Sequence, residues 1–528
     1  MRGDTTPHQA MPGRLPALVR AASGLAVMWA VGGCAVGPKF TKPDTPVSEG
    51  WRERGDPHLS DTPVDTLWWK SFHDPRLDRL VDLAHQQNLP LQIAGLRIVE
   101  ARAQLALATG KQYPQVQAAF ANVNAVGLSQ NAANVVGYDR HFLDYQLGFD
   151  AIWELDFWGK YRRSVEAATA SLAATVGDYY YALVSITAEV ARTYVVIRTF
   201  EVLIAQAEEN AKLQEEGLHI AQARFRAGAT SELDVTQAST LLDSTRGAIP
   251  QLQTSLQQAK NALSTLLGQP PGSVDELLDG PKTIPRAPDK VAVSVPAEML
   301  RRRPDIRSAE LSAAAQCARV GVAEADLYPN FSLAGQIGFE ATSISGATGK
   351  FLSGDNLFYS LGARLFWPFL NYGRLKNAVR VQDAKLEQLL VSYRNTVLKA
   401  VQEVEDALAG FLNARQGVVL EQRAVDSARR SVQIAIVEYK EGAADFQRVL
   451  DAQRSLLDQQ NSLAQTSSSV ATNVIALYKA LGGGWEFRQG KPFVPEPMQK
   501  EMKERTDWGD MLSEPPKAEA DAHTPSKP

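Results

Sequence analysis

The chain has 528 residues, 45% of them hydrophobic, and its 55 basic and 59 acidic residues leave a formal charge of −4, a balance that argues against nucleic acid as a partner. After residue 34 no window holds 18 consecutive apolar residues, so no membrane-spanning helix is present and any spanning part must be made of strands. Two cysteines, Cys34 and Cys317, give no disulfide framework, which fits an exported protein stabilised by helix packing.

Residues 1–33 read as a secretory signal: Arg14 and Arg20 precede an apolar stretch from Ala21 to Val31, and Gly32 and Gly33 stand before Cys34. This resembles a bacterial lipoprotein signal, which implies cleavage before Cys34 and lipidation of its thiol. The alternative is an ordinary secretory signal with an incidental cysteine, and translation from Met1 or from Met11 stays open. An acyl anchor contributes about 0.8 kcal/mol per buried CH₂, so two or more chains hold a protein on a membrane. Residues 34–74 then form an extended, lipidated N-terminal segment.

The first repeat, 75–284, is expected to hold a helix (about 78–111), a strand pair at about 115–154, a long helix at 159–226 and a helix at 233–267. From 159 to 226 the long helix has about 68 residues and a length of roughly 100 Å at 1.5 Å per residue. In the strand pair Leu143, Tyr145, Leu147, Phe149, Ala151 and Trp153 alternate with Asp144, Gln146, Gly148, Asp150 and Glu154, the period of a strand with one apolar face. The second repeat, 285–484, follows the same order: a helix at 296–327, a strand pair at about 330–368, a long helix at 371–440 and a helix at 446–481. Residues 485–528 lack apolar periodicity and read as a flexible tail.

The repeat itself is written in the residues. Leu147, Gly148, Trp153, Gly159, Phe225, Gly228, Ala229, Leu267 and Gly268 match Leu361, Gly362, Trp367, Gly373, Tyr439, Gly442, Ala443, Leu481 and Gly482, each 214 positions later. The strands have the length a tilted strand needs to cross a bilayer, with Trp153, Trp158, Trp367 and Tyr372 at their ends as an interfacial girdle. Four strands cannot close a barrel and an open edge is not tolerated in hydrocarbon, so a trimer supplying 12 strands is the economical solution. The fold class expected is therefore an α+β membrane protein: a trimeric 12-stranded transmembrane β-barrel, four strands per chain, continuous with a long α-helical barrel, which the family resemblance below implies to be periplasmic.

Val36-Gly37-Pro38, then Trp68, Trp69, Phe72, Asp74, Pro75, Leu77 and Leu80, and then Leu300, Arg302, Arg303, Pro304, Asp305 and Ile306 carry a resemblance to the outer membrane factor (TolC-like) family, lipoprotein subgroup of resistance-nodulation-division (RND) efflux systems. The resemblance implies a homotrimer in outer-membrane lipid, docked through a periplasmic adaptor to an inner-membrane RND transporter. It implies an exit duct for drugs or other small toxic compounds. Helix-to-helix tips at Gly228, Ala229 and Ser231 and at Gly442, Ala443 and Asp445 are implied to meet the adaptor. The glycines suit left-handed helix ends, and Ser231 and Asp445 suit helix N-caps.

Asp451 sits at the family's constricting aspartate, and in a trimer it becomes a ring that attracts cations. Arg454 matches a gate-holding position. The sequence departs from the family at Gln447, where a leucine-like gate residue is implied, and Arg448 adds a charge. Competing readings are a duct for heavy-metal efflux or type I protein secretion and, from another class, a structural coiled-coil envelope lipoprotein. With 7 scattered histidines and no phosphate-cradling loop, no catalytic, cofactor or metal site is expected.

Overall fold

A computed structural model describes residues 35–512, apart from 45–46, 49, 61, 63–64, 132–138, 294 and 345–349. Four long strands form an antiparallel sheet in chain order: β1 (Val116–Gly127), β2 (His141–Leu155), β3 (Asn330–Thr342) and β4 (Leu357–Phe366). The helices are α1 (Pro75–Gln87), α2 (Leu89–Gly110), α3 (Lys160–Arg226), α4 (Glu232–Leu266), α5 (Pro296–Arg302), α6 (Pro304–Ala325), α7 (Arg374–Lys440), α8 (Phe446–Ala480) and α9 (Glu496–Arg505). The chain divides into two compact units. One holds the sheet with residues 104–170 and 313–388 and the N-terminal stretch to Thr41; the other holds 42–103, 171–312 and everything after Gln388.

Positions 214 apart share unusual backbone geometry. Gly159 and Gly373 have φ of +79° and +80°, and Gly268 and Gly482 have +67° and +69°, values that cost an L side chain steric strain. Trp153 donates its indole N–H to the Gln112 carbonyl at 3.2 Å, and Trp367 makes the equivalent bond to Leu327 at 3.1 Å.

Three expectations need correction. The opening helix of each half is broken. Asn88 ends α1 with extended φ/ψ, and its buried side chain accepts from Leu91 N–H and donates to the Leu266 carbonyl, so α2 restarts with Pro90 in its first turn, where no intrahelical N–H bond is lost. Pro304 forces the same break at Arg303. The tail beyond Trp485 is ordered to Leu512: Val494, Met502 and Leu512 are buried against Val99, with Trp508 packed beside them. Nor is the segment before α1 merely extended. Trp68–Phe72 forms a 3₁₀ turn with both tryptophans 1% exposed, and Leu59–Ser60 pairs in parallel with Val291–Ala292.

The arginine-rich run before α6 becomes a rivet. Arg303, buried at 3% exposure, pairs bidentately with Asp305, reaches Glu403 at 2.8 Å, and donates to the Ala480 carbonyl at the end of α8. A buried charge is stable only when so paired. Cys317 is buried, as its alanine neighbours lead one to expect, with its thiol facing the Pro38 carbonyl.

Candidate functional site

Register sorts the sheet into two chemically distinct faces. Paired rows run Ala121–Leu147–Phe339–Leu357 and Phe149–Ile337–Tyr359, so every odd-numbered residue of the four strands shares one face. That face is apolar: Leu143, Leu147, Phe149, Leu333, Ile337, Tyr359, Leu361 and Leu365 are exposed on it. The even-numbered face carries Asn122, Asn124, Asp144, Gln146, Asp150, Glu154, Ser332, Gln336, Glu340, Ser360 and Arg364. Glu154 is met by Lys160, 3.9 Å away. The strands are 12, 15, 13 and 10 residues long, enough to cross a hydrocarbon core when tilted. Among the described residues β1 and β4 are edges, each with one side of its backbone unpaired.

Aromatic residues crowd the end of the sheet where the helices begin. Trp153, Trp367, Phe369 and Tyr372 are exposed there. Trp158 differs from the girdle expected of it: it is half-buried, stacked on Tyr328 at 4.6 Å and bonded to the Pro329 carbonyl. Cys34 lies outside the described residues. Its neighbours are fixed: Val36 N–H bonds the Trp158 carbonyl at 3.0 Å, and Arg163 donates to the carbonyls of Val36 and Gly37.

The two tips, by contrast, expose backbone and short side chains. Gly228, Ala229, Ser231, Gly442, Ala443 and Asp445 are all exposed. The glycines have φ of +73° and +79°, and Ala229 and Ala443 N–H close the helix ends on Arg224 and Glu438 carbonyls at 2.8 Å each. Asp445 caps α8 by accepting from Arg448 N–H. Ser231 stands at the N-cap of α4 but its side chain makes no cap bond.

Sequence reasoning missed the clamp that joins the tips. Arg224 donates to the Tyr439 carbonyl and lies over the Tyr439 ring, 4.7 Å from its centroid. The Tyr439 hydroxyl donates to Asp234 at 3.0 Å, and Thr230 bonds the same carboxylate. Burial, first, and then the Asp234 carboxylate hold the Tyr439 phenol above its ordinary range, so it stays a donor. Beneath the clamp Ala221, Ala238, Leu241, Phe446, Val449 and Leu450 form a buried core.

Gln447, Arg448, Asp451 and Arg454 are exposed on the first turns of α8. The Gln447 amide donates to Asp451 at 3.0 Å, and Arg448 faces Glu438 at 3.9 Å. Among the described residues no ion pair joins Asp451 to Arg454, so the residue that departs from the family pattern is the one that holds the aspartate.

A helical chain with a bilayer-length sheet, one apolar face and two unpaired edges defines a membrane channel subunit. The outer membrane efflux protein family matches residues 80–269 and again 295–483. Nodulation protein T of Rhizobium leguminosarum bv. trifolii is 31% identical over 453 residues, 86% of this chain and 95% of that protein. The pyoverdine export outer membrane protein OpmQ of Pseudomonas putida is 33% identical over 433 residues, covering 80% and 89%. The solved outer-membrane channel OprN superposes with a TM-score of 0.80 at 32% identity, over 86% of this chain and all of that one. The chain belongs to the outer membrane efflux protein family. It is an outer-membrane efflux channel with a large periplasmic portion.

Proposed function

We propose that three copies of the chain close one channel and serve as the exit duct of a tripartite pump, with a periplasmic adaptor and an inner-membrane RND transporter as partners. The observation that carries this is the sheet: an apolar face beside a polar face, with edges β1 and β4 open. Joining β4 of one copy to β1 of the next satisfies both edges, and three copies give 12 strands around a polar lumen. On this reading 75–284 and 285–484 descend from one duplicated unit. Cys34 carries acyl chains, a reading supported by Val36, two residues on, which is tethered to Trp158 at the sheet end rich in exposed aromatics. The exposed tips at Gly228, Ala229, Ser231, Gly442, Ala443 and Asp445 face the adaptor.

Asp451, repeated about the axis with Gln447, Arg448 and Arg454 beside it, forms the periplasmic gate. Its carboxylates raise cation occupancy and oppose passive leakage of anions. Asp451→Ala is expected to raise the conductance of the purified channel in planar bilayers and to weaken block by multivalent cations. Unchanged conductance and block would remove Asp451 from the gate.

A further inference from the structure

One row of the even-numbered face sets two aromatic rings beside two glycines. Phe120, Gly148, Gly338 and Phe358 are register partners across all four strands, so two phenylalanines on the edge strands flank two glycines at the centre. Both rings turn inward over the glycines. A Cβ on Gly148 would lie 2.8 Å from Phe120 Cζ, and one on Gly338 would lie 3.0 Å from Phe358 Cε1. Both glycines are buried while both rings stay partly open. Rings laid over glycines are one way a sheet covers bare backbone, and that alone would suit any apolar side chain.

The neighbouring rows make the tile chemically specific. Two residues along, on the same face, stand Asp150 on β2 and Glu340 on β3, one on each side of the row and about 7 Å away along the strands. Asp150 Oδ1 is buried and has no hydrogen-bond partner among the described residues, while Glu340 is exposed. A π-face bordered by carboxylates attracts organic cations, because the ring quadrupole and the carboxylate act on the same charge. We infer that this Phe–Gly–Gly–Phe tile is a wall site for planar aromatic cations passing through the lumen. The inference rests on the closed-channel reading above, which places the polar face inside, and it adds a solute class to a duct that otherwise only conducts.

The test is ethidium binding to the detergent-purified full chain by fluorescence anisotropy, with the number of chains read on the same sample by native mass spectrometry. Saturable binding is expected, weakened about fivefold or more both in Phe120→Leu/Phe358→Leu and in Asp150→Asn/Glu340→Gln. The second variant keeps both rings over the glycines, so it carries the test if the first fails to assemble. Trimers that bind ethidium equally in all forms, or only as empty micelles do, would overturn the tile and leave the channel standing. A single-chain mass would overturn the enclosed lumen and the tile together.

Discussion

Helices α3 and α7 have the same length, 67 residues, and corresponding positions 214 apart, yet they meet different surroundings. On α3 the only exposed large apolar residue is Phe225, at the tip, whereas α7 exposes Val381, Val391, Leu398, Val419, Leu420, Ile434 and Val437. Val184 is 1% exposed and its counterpart Leu398 is 62% exposed. The chain itself wraps α3: Thr187 meets His85, Tyr194 bonds Asp74, Arg198 reaches the Leu278 carbonyl, and Arg488 of the tail bonds Tyr179. Among the described residues nothing equivalent covers the outer stripe of α7, where Val391, Leu398 and Val419 fall at multiples of seven, the spacing of a seam between helices. One copy of the long helix is closed by its own chain. The other leaves an apolar stripe exposed, the kind of surface the proposed assembly would cover.

The matched pair offers the largest effect. Val184→Asp buries an unpaired charge and is expected to cost on the order of 3–5 kcal/mol, seen as loss of protease-resistant protein. Leu398→Asp is expected to leave helix content by circular dichroism intact while lowering the number of chains per particle. Equal damage to the fold from both variants would erase the distinction between the helices.

The wrapping of α3 also has a pH signature. Burial, and then Arg488 and Lys491, push the His85 imidazole from 6.5 down to about 3. The unfolded chain takes up this proton near pH 6.5 and the folded chain holds it off to about 3. The stability is therefore full above pH 6.5 and lost progressively as pH falls towards 3, by up to about 1.4 kcal/mol per unit. His85→Phe keeps a ring beside Trp69, which His85 meets edge-on, and beside the tilted Phe487, and should flatten urea-midpoint loss between neutral and mildly acid pH. A slope identical to wild type would place the acid sensitivity elsewhere.

The tips yield the smallest contrast. Asp445→Ala removes a real cap and should destabilise the start of α8 by about 1 kcal/mol, whereas Ser231→Ala should change α4 by only a few tenths. Hydrogen exchange of the first-turn amides separates the two, and equal increases would contradict the geometry.

Much of this architecture is legible in the chain because it depends on local periodicity. The alternation from Leu143 to Trp153 marks β2, and Gly228 and Gly442 mark the tips. The clamp was not legible, since Arg224 and Asp234 each reach Tyr439 across more than 200 positions, a separation no local pattern spans. The breaks at Asn88 and Arg303 are written in Pro90 and Pro304, a signal that apolar spacing running through them outweighs when read alone. The order in the tail was hidden because Val494, Met502 and Leu512 are too sparse to show a period; they are buried only because α2 presents Val99 and Leu96 to them.

The central claim is that one chain is an incomplete channel, and native mass spectrometry of the outer-membrane-fractionated, detergent-extracted protein tests it most directly. Three acylated chains per particle is the predicted result. A stable particle of one chain, with β1 and β4 unpaired and the α7 stripe bare, would contradict it.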